Sequence, residues 1–176
     1  MKKILIVLSL IMSMVMFASC GADAAAEKHD FRNVDFGMGS IELLEIEGKP
    51  DFEFPDDDIA VYDYYNRETF GISNANIAYY VDVDGVGSAY AVYNNTYTDN
   101  KSYQIEYQTI KKNLIAEWGK PMTVSETDEE FNYFCSWDTK FLEMYREEDN
   151  SVKLWVRAYR PDYYESYLER QQLATE

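Results

Sequence analysis

The two aspartates of Asp82-Val83-Asp84-Gly85 superficially resemble the opening of a calcium-binding loop. Such a loop needs further oxygen ligands at fixed positions and an acidic residue at the twelfth. Here the series continues through Val86, Ser88, Tyr90 and Tyr93, so it stops after two members. The acidic runs Asp56-Asp57-Asp58 with Asp63, and Glu126 with Asp128, Glu129 and Glu130, read as solvated surface. Two carboxylates about 5 to 10 Å apart can hydrolyse a glycoside. Among 32 acidic residues some pair always meets that distance, so a carboxylate-dependent hydrolase is the most distant reading. Cys135, inside Phe134-Cys135-Ser136-Trp137, would need a neighbouring base to serve as a nucleophile. The one histidine, His29, falls in a segment read as a tether, so Cys135 reads as a small buried hydrophobe. No catalytic residue, metal or cofactor is expected.

Aromatic residues carry more information. The chain has 16 Tyr, nine Phe and three Trp, more rings than a core of this size can hide. Tyr79, Tyr90, Tyr93, Tyr97, Trp155 and Tyr159 fall on expected strands and are the candidate binding residues. Rings of this type give large contact area at low entropic cost, which suits recognition of protein or sugar. An exposed Tyr/Trp strip on a sheet is therefore the site hypothesis.

The elements that would hold these rings follow from periodicity. A helix is expected from about Ser40 to Glu47, with Ile41, Leu43 and Leu44 on its apolar face and Gly48 and Pro50 stopping it. A second is expected from about Ser102 to Trp118. Tyr103, Tyr107, Ile110, Leu114 and Trp118 make one stripe, and Gly119 and Pro121 close it. Strands are expected at Ile59 to Tyr65, Ile77 to Val83 and Val86 to about Tyr97, with Asp84-Gly85 as a hairpin turn. After the second helix come Phe131 to Trp137, Lys140 to Glu147 and Val152 to Arg160, then a helix from about Asp162 to Leu173. Gly48-Lys49-Pro50 and Gly119-Lys120-Pro121 stand 71 residues apart, each after an amphipathic helix. The expected architecture is α+β, a pseudo-repeat of two helix-plus-antiparallel-sheet units, about 31–99 and 100–176. All helices would pack on one face of the sheet.

The chain begins with Lys2 and Lys3, an apolar run from Ile4 to Phe17, and then Ala18, Ser19 and Cys20. This is the form of an export signal, and the run is shorter than the span of about 20 residues needed to cross a bilayer. Phe17-Ala18-Ser19-Cys20 resembles the bacterial lipobox, in which the cysteine becomes the lipidated first residue. That implies a signal peptide over 1–19, a tether over 20–30 and a membrane partner reached through lipid on Cys20. Cleavage after Ala22-Asp23-Ala24 is the alternative. Loss of residues 1–19 removes Lys2 and Lys3 and takes the net charge from −16 to −18. A polyanion binder needs clustered Lys and Arg, so nucleic acid is excluded as a partner.

Phe36-Gly37-Met38-Gly39-Ser40, followed by the short helix and Gly48-Lys49-Pro50, resembles the opening of small bacterial lipoproteins related to the SmpA/OmlA outer-membrane-assembly lipoproteins. The β-lactamase-inhibitor-protein fold repeats a similar helix-plus-sheet unit. The resemblance implies an interaction module without catalysis. The expected function is thus a lipid-anchored extracytoplasmic module, held at the cell envelope, that binds a protein partner. A glycan-binding surface lipoprotein is the alternative.

Overall fold

The computed structural model describes residues 28–56 and 58–173. Cys20, the expected signal peptide and most of the expected tether lie outside the described residues. In chain order come α1 (Ser40–Glu47), β1 (Phe52–Phe54), β2 (Ala60–Thr69), β3 (Ile72–Asp82) and β4 (Gly85–Tyr93). Then follow α2 (Asn100–Trp118), β5 (Thr123–Thr127), β6 (Asn132–Trp137), β7 (Lys140–Arg146), β8 (Val152–Tyr159) and α3 (Pro161–Leu173).

All eight strands join one antiparallel sheet in the order β1-β2-β3-β4-β8-β7-β6-β5. This corrects the expected pseudo-repeat of two helix-plus-sheet units. β4 and β8 pair directly, Ala89 opposite Ala158 and Ala91 opposite Val156, so the sheet has no seam where a unit could end. The core is shared as well. α2 sends Tyr107 to Cys135 on β6, with Oη to Sγ 3.1 Å, while its Asn113 Nδ2 donates to the carbonyl of Phe70 after β2 (2.9 Å). Periodicity marks where each element lies but not which strand edges meet, and the β4–β8 pairing is a long-range event that periodicity leaves open.

Helix placement needs a second correction, because the helices do not share a face. The stripe Tyr103, Tyr107, Ile110 and Leu114 of α2 is buried against one side of the sheet, together with Leu43 of α1. Each such apolar side chain contributes about 1.5–3 kcal/mol on burial. α3 lies on the other side, where Tyr164 and Tyr167 meet Tyr159 of β8 at ring distances of 5.4 and 5.5 Å. Three layers result, with the sheet in the middle. Ile41, expected on the apolar face of α1, is 75% exposed; this helix anchors through Leu43 alone among its fully buried residues.

Helix ends follow the chemistry of their caps. Asp99 accepts the amide of Ser102 (2.9 Å) at the start of α2, and Glu42 accepts the amide of Gly39 (3.0 Å) at the start of α1. Sheet edges are short: β1 carries Phe52 and Phe54, and β5 follows Met122, all exposed. Among the described residues no helix is long and apolar enough to cross a membrane.

Candidate functional site

Strand alternation decides which rings the sheet can offer. Tyr79 and Tyr93 point into the core, at 0% and 4% exposure, and leave the expected strip. Tyr79 donates its hydroxyl to Glu47 (2.7 Å), and Tyr93 to the carbonyl of Thr69 (3.3 Å). Tyr97 lies beyond the end of β4 and packs on Tyr103 at 4.9 Å. Tyr90, Trp155 and Tyr159 share the side away from α2, through the register Tyr90 opposite Arg157 and Val92 opposite Trp155, although Tyr159 is itself only 3% exposed beneath Tyr164 and Tyr167 of α3. Half of the predicted set therefore comes together.

These three line a groove of ≈ 490 Å³ beside α3, with Tyr65, Tyr80 and Tyr167. Sequence reasoning missed Tyr65, Tyr80 and Tyr167, together with Asp63 and Arg157 at the same groove. A one-residue irregularity between β3 and β4 decides which side of the sheet Tyr90 takes. Val81 opposes Val86, but Tyr80 opposes Ser88, and Gly87 is the residue left over. An extra residue inverts the alternation of everything beyond it. Tyr90 is thereby moved to the side of Tyr80 and away from Tyr79. The only sequence signal was Gly87 itself, since glycine inside a strand marks a bulge or a close approach. Both hold here: a Cβ at Gly87 would collide with the ring of Tyr163 on α3.

The rings in the groove brace each other. Tyr80 meets Tyr90 at 5.0 Å and 61°, and Tyr90 meets Tyr159 at 6.1 Å and 66°, both edge to face. Such pairs hold aromatic side chains in fixed orientations. The guanidinium of Arg157 lies 4.8 Å from the centre of Trp155 and also pairs with Glu143 (3.3 Å). Burial pushes the Tyr90 phenol up to about 12, and burial raises the Asp63 carboxyl against the hydrogen bond from Tyr65. The tyrosines thus present neutral hydroxyls, and Arg157 supplies a fixed positive charge. The arrangement can grip an aromatic or aliphatic side chain and accept or donate hydrogen bonds at its rim.

The other candidate chemistry is committed elsewhere. Asp82 is held by Arg160 (2.9 Å) and accepts the amide of Asp84 (2.8 Å), which turns the hairpin. Cys135 is fully buried, and burial pushes its thiol up. His29 is not loose: its Nδ1 lies 3.2 Å from both carboxylate oxygens of Asp35. Asp30 is also fixed, accepting from the amide of Phe36 (3.0 Å) and from Lys140 (2.9 Å).

No protein-family model matches the chain. No curated protein matches it either. Among solved structures it is similar to an extracellular protein containing a SCP domain from Bacillus anthracis str. Ames, at 17% identity and a TM-score of 0.37. That match covers 73% of this chain and 44% of the other, so the chain spans less than half of that protein's length. A DUF4309 family protein (YjgB) from Bacillus subtilis is similar at 12% identity over 72% of this chain and 80% of its own, with a TM-score of 0.33. A cysteine-rich secretory protein from Staphylococcus aureus is similar at 13% identity over 75% and 48%, also with a TM-score of 0.33. At these TM-scores the likenesses carry no argument about ligand or activity.

Proposed function

We propose that this chain is an exported, lipid-anchored binding module that holds a segment of a protein partner in the groove beside α3 and catalyses nothing. One observation carries the reading. Tyr80, Tyr90, Trp155 and Tyr159 converge with Arg157 on a single cleft, and Trp, Tyr and Arg are the side chains that dominate protein–protein hot spots. A cleft of ≈ 490 Å³ lies within the range of about 300–1,000 Å³ that holds small ligands or a few side chains. Export and anchoring rest on the signal-like start and on Cys20, placing the module on the outer face of the plasma membrane, or on the outer membrane of a diderm cell. The likeness of residues 36–50 to envelope-assembly lipoproteins supports the same placement. Lipid holds the chain at the membrane, since a net charge of −18 disfavours adsorption to anionic headgroups.

Capture of partners from intact envelopes by the purified protein tests the reading. Trp155→Ala and Tyr90→Ala should each cut recovery of the captured protein by about tenfold or more. Equal recovery by wild type and both variants would remove the groove from the function. A glycan ligand is the second reading, favoured by Tyr65, 43% exposed, with Asp63 and Asn76 at the same groove. Depletion of the protein on insoluble polysaccharide, lost in Trp155→Ala, would select it over a protein partner.

A further inference from the structure

Strand register sets a short row of side chains across the floor of the aromatic groove. Asp63 on β2 stands directly opposite Ala78 on β3, and Ala78 directly opposite Tyr90 on β4. Residues opposite one another share a side of the sheet, and all three line the groove. Neighbouring strands lie about 4.8 Å apart, so the backbones at Asp63 and Tyr90 are about 10 Å apart. Between them Ala78 contributes only a methyl group, and the row dips there. Tyr80, on the same side of β3 as Ala78, closes one flank with its ring 5.0 Å from that of Tyr90. All four residues are half-buried, so the dip is open to solvent and not sealed beneath the surface.

One wall of this dip is a carboxylate that the domain leaves without a cation. Among the described residues no ion pair reaches Asp63. Arg67, further along β2, pairs with Asp51 (3.3 Å). Arg157, beyond Tyr90 on β8, pairs with Glu143 (3.3 Å) and lies over Trp155. Asp63 keeps a hydrogen bond from Tyr65, and burial raises its carboxyl against that bond. The Asp63 charge is also felt by Tyr80, whose phenol is raised by burial first and by Asp63 second. A partly desolvated carboxylate with no counter-charge is costly, and the ring faces beside it attract positive charge.

We propose that this dip receives one basic side chain, arginine or lysine, of the partner segment, its charged head on Asp63 and its stem against Tyr80 and Tyr90. The inference rests on the groove being the site that holds the partner. Charge complementarity selects the class. An acidic side chain would meet Asp63 as a like charge, and an apolar one would leave the carboxylate covered and unpaired. A sugar hydroxyl can donate to Asp63 but leaves its charge uncompensated, and charge-assisted bonds are about twice as strong as neutral ones. A calcium ion needs about six to eight oxygen ligands, and the described residues hold no cluster of three or more candidate ligands. Phe52 and Phe54 carry the same side on to the sheet edge, opposite Asp63 and Val61, and both are exposed. They offer apolar contact to the residues flanking the basic one.

Calorimetric titration of the whole purified protein with short, acetylated and amidated alanine–leucine peptides tests this, the central residue being arginine, lysine, citrulline or norleucine. The arginine or the lysine peptide should bind about tenfold or more tightly than its neutral counterpart, citrulline or norleucine, the difference made by one charged hydrogen bond. Asp63→Asn should erase that ratio and leave the affinity for the neutral peptides unchanged. Ala78→Leu, which fills the dip with Asp63 intact, should weaken the charged peptides as well. Equal binding of charged and neutral peptides overturns the inference. So does the absence of binding by both charged peptides, or an Asp63→Asn protein that melts like wild type and keeps the ratio. Capture from envelopes separates this inference from the groove itself. If Asp63→Asn recovers the partner as wild type does while Trp155→Ala loses it, the basic side chain alone is refuted. If neither variant loses it, the groove falls too.

Discussion

Individual residues show how firmly this domain commits its polar groups. Glu106 of α2 is 2% exposed and accepts a hydrogen bond from Asn95 Nδ2 (2.7 Å). Burial raises its carboxyl from the ordinary value of 4.5, against the bonds from Asn95 and Tyr97. A raised carboxyl holds its proton more tightly folded than unfolded. Its stabilising contribution is therefore complete below pH 4.5 and is lost as pH rises through the higher folded value. Glu106→Gln keeps the acceptor and abolishes the titration. In urea unfolding from about pH 4 to pH 7, the wild type should lose stability relative to the variant, and parallel profiles would refute the argument. Packing is equally specific at Ile110, fully buried in the α2 stripe. Ile110→Ala should cost about 2–5 kcal/mol in the same assay, as the transfer term and the cavity add.

Elements earn their positions through a few close approaches. α3 is held on the sheet by rings on Tyr159 and Phe141 and by the bare backbone of Gly87 beneath Tyr163. Gly87→Ala would drive a methyl group into that ring, so α3 must lift. Hydrogen exchange should then show lost protection along α3 with α2 unchanged; a uniform loss over both helices would mean that the substitution weakens the sheet instead. The groove is walled by Tyr167 of this helix, so the same variant should also weaken partner capture. Gly85 is a stricter case. It has φ +95°, and a Cβ there would strike the backbone of Gly37. The β3–β4 turn and the N-terminal segment are joined at that point by the amide of Val86 donating to the carbonyl of Met38 (2.8 Å).

As a whole molecule, the chain is strongly acidic, and the anchor proposed for it is a single lipidated cysteine. Cys20→Ser should release the protein from the membrane fraction and abolish incorporation of labelled palmitate; retention of both signals would refute lipidation at Cys20. Stable anchoring needs more than one acyl chain, which a lipidated N-terminal cysteine supplies. Surplus negative charge also predicts that a partner presents basic residues. Capture should fall as salt rises above about 0.15 M, where the Debye length is about 8 Å.

Local chemistry was legible in the chain before any coordinates. The α2 stripe from Tyr103 to Leu114, the Gly119 stop, the Asp84-Gly85 hairpin and the alternation of β8 follow from helix period, strand period and turn stereochemistry, which act within a few residues. Two edge strands, β1 and β5, escaped because runs of three and four exposed residues carry no pattern. Tertiary structure alone decided three things. The β4–β8 pairing merged the expected two units into one sheet, the Gly87 bulge sorted Tyr90 from Tyr79, and α3 took the face opposite α2. The β4–β8 pairing and the seat of the Tyr163 ring on Gly87 join residues tens of positions apart, and no local preference encodes which distant edge, face or ring will be met.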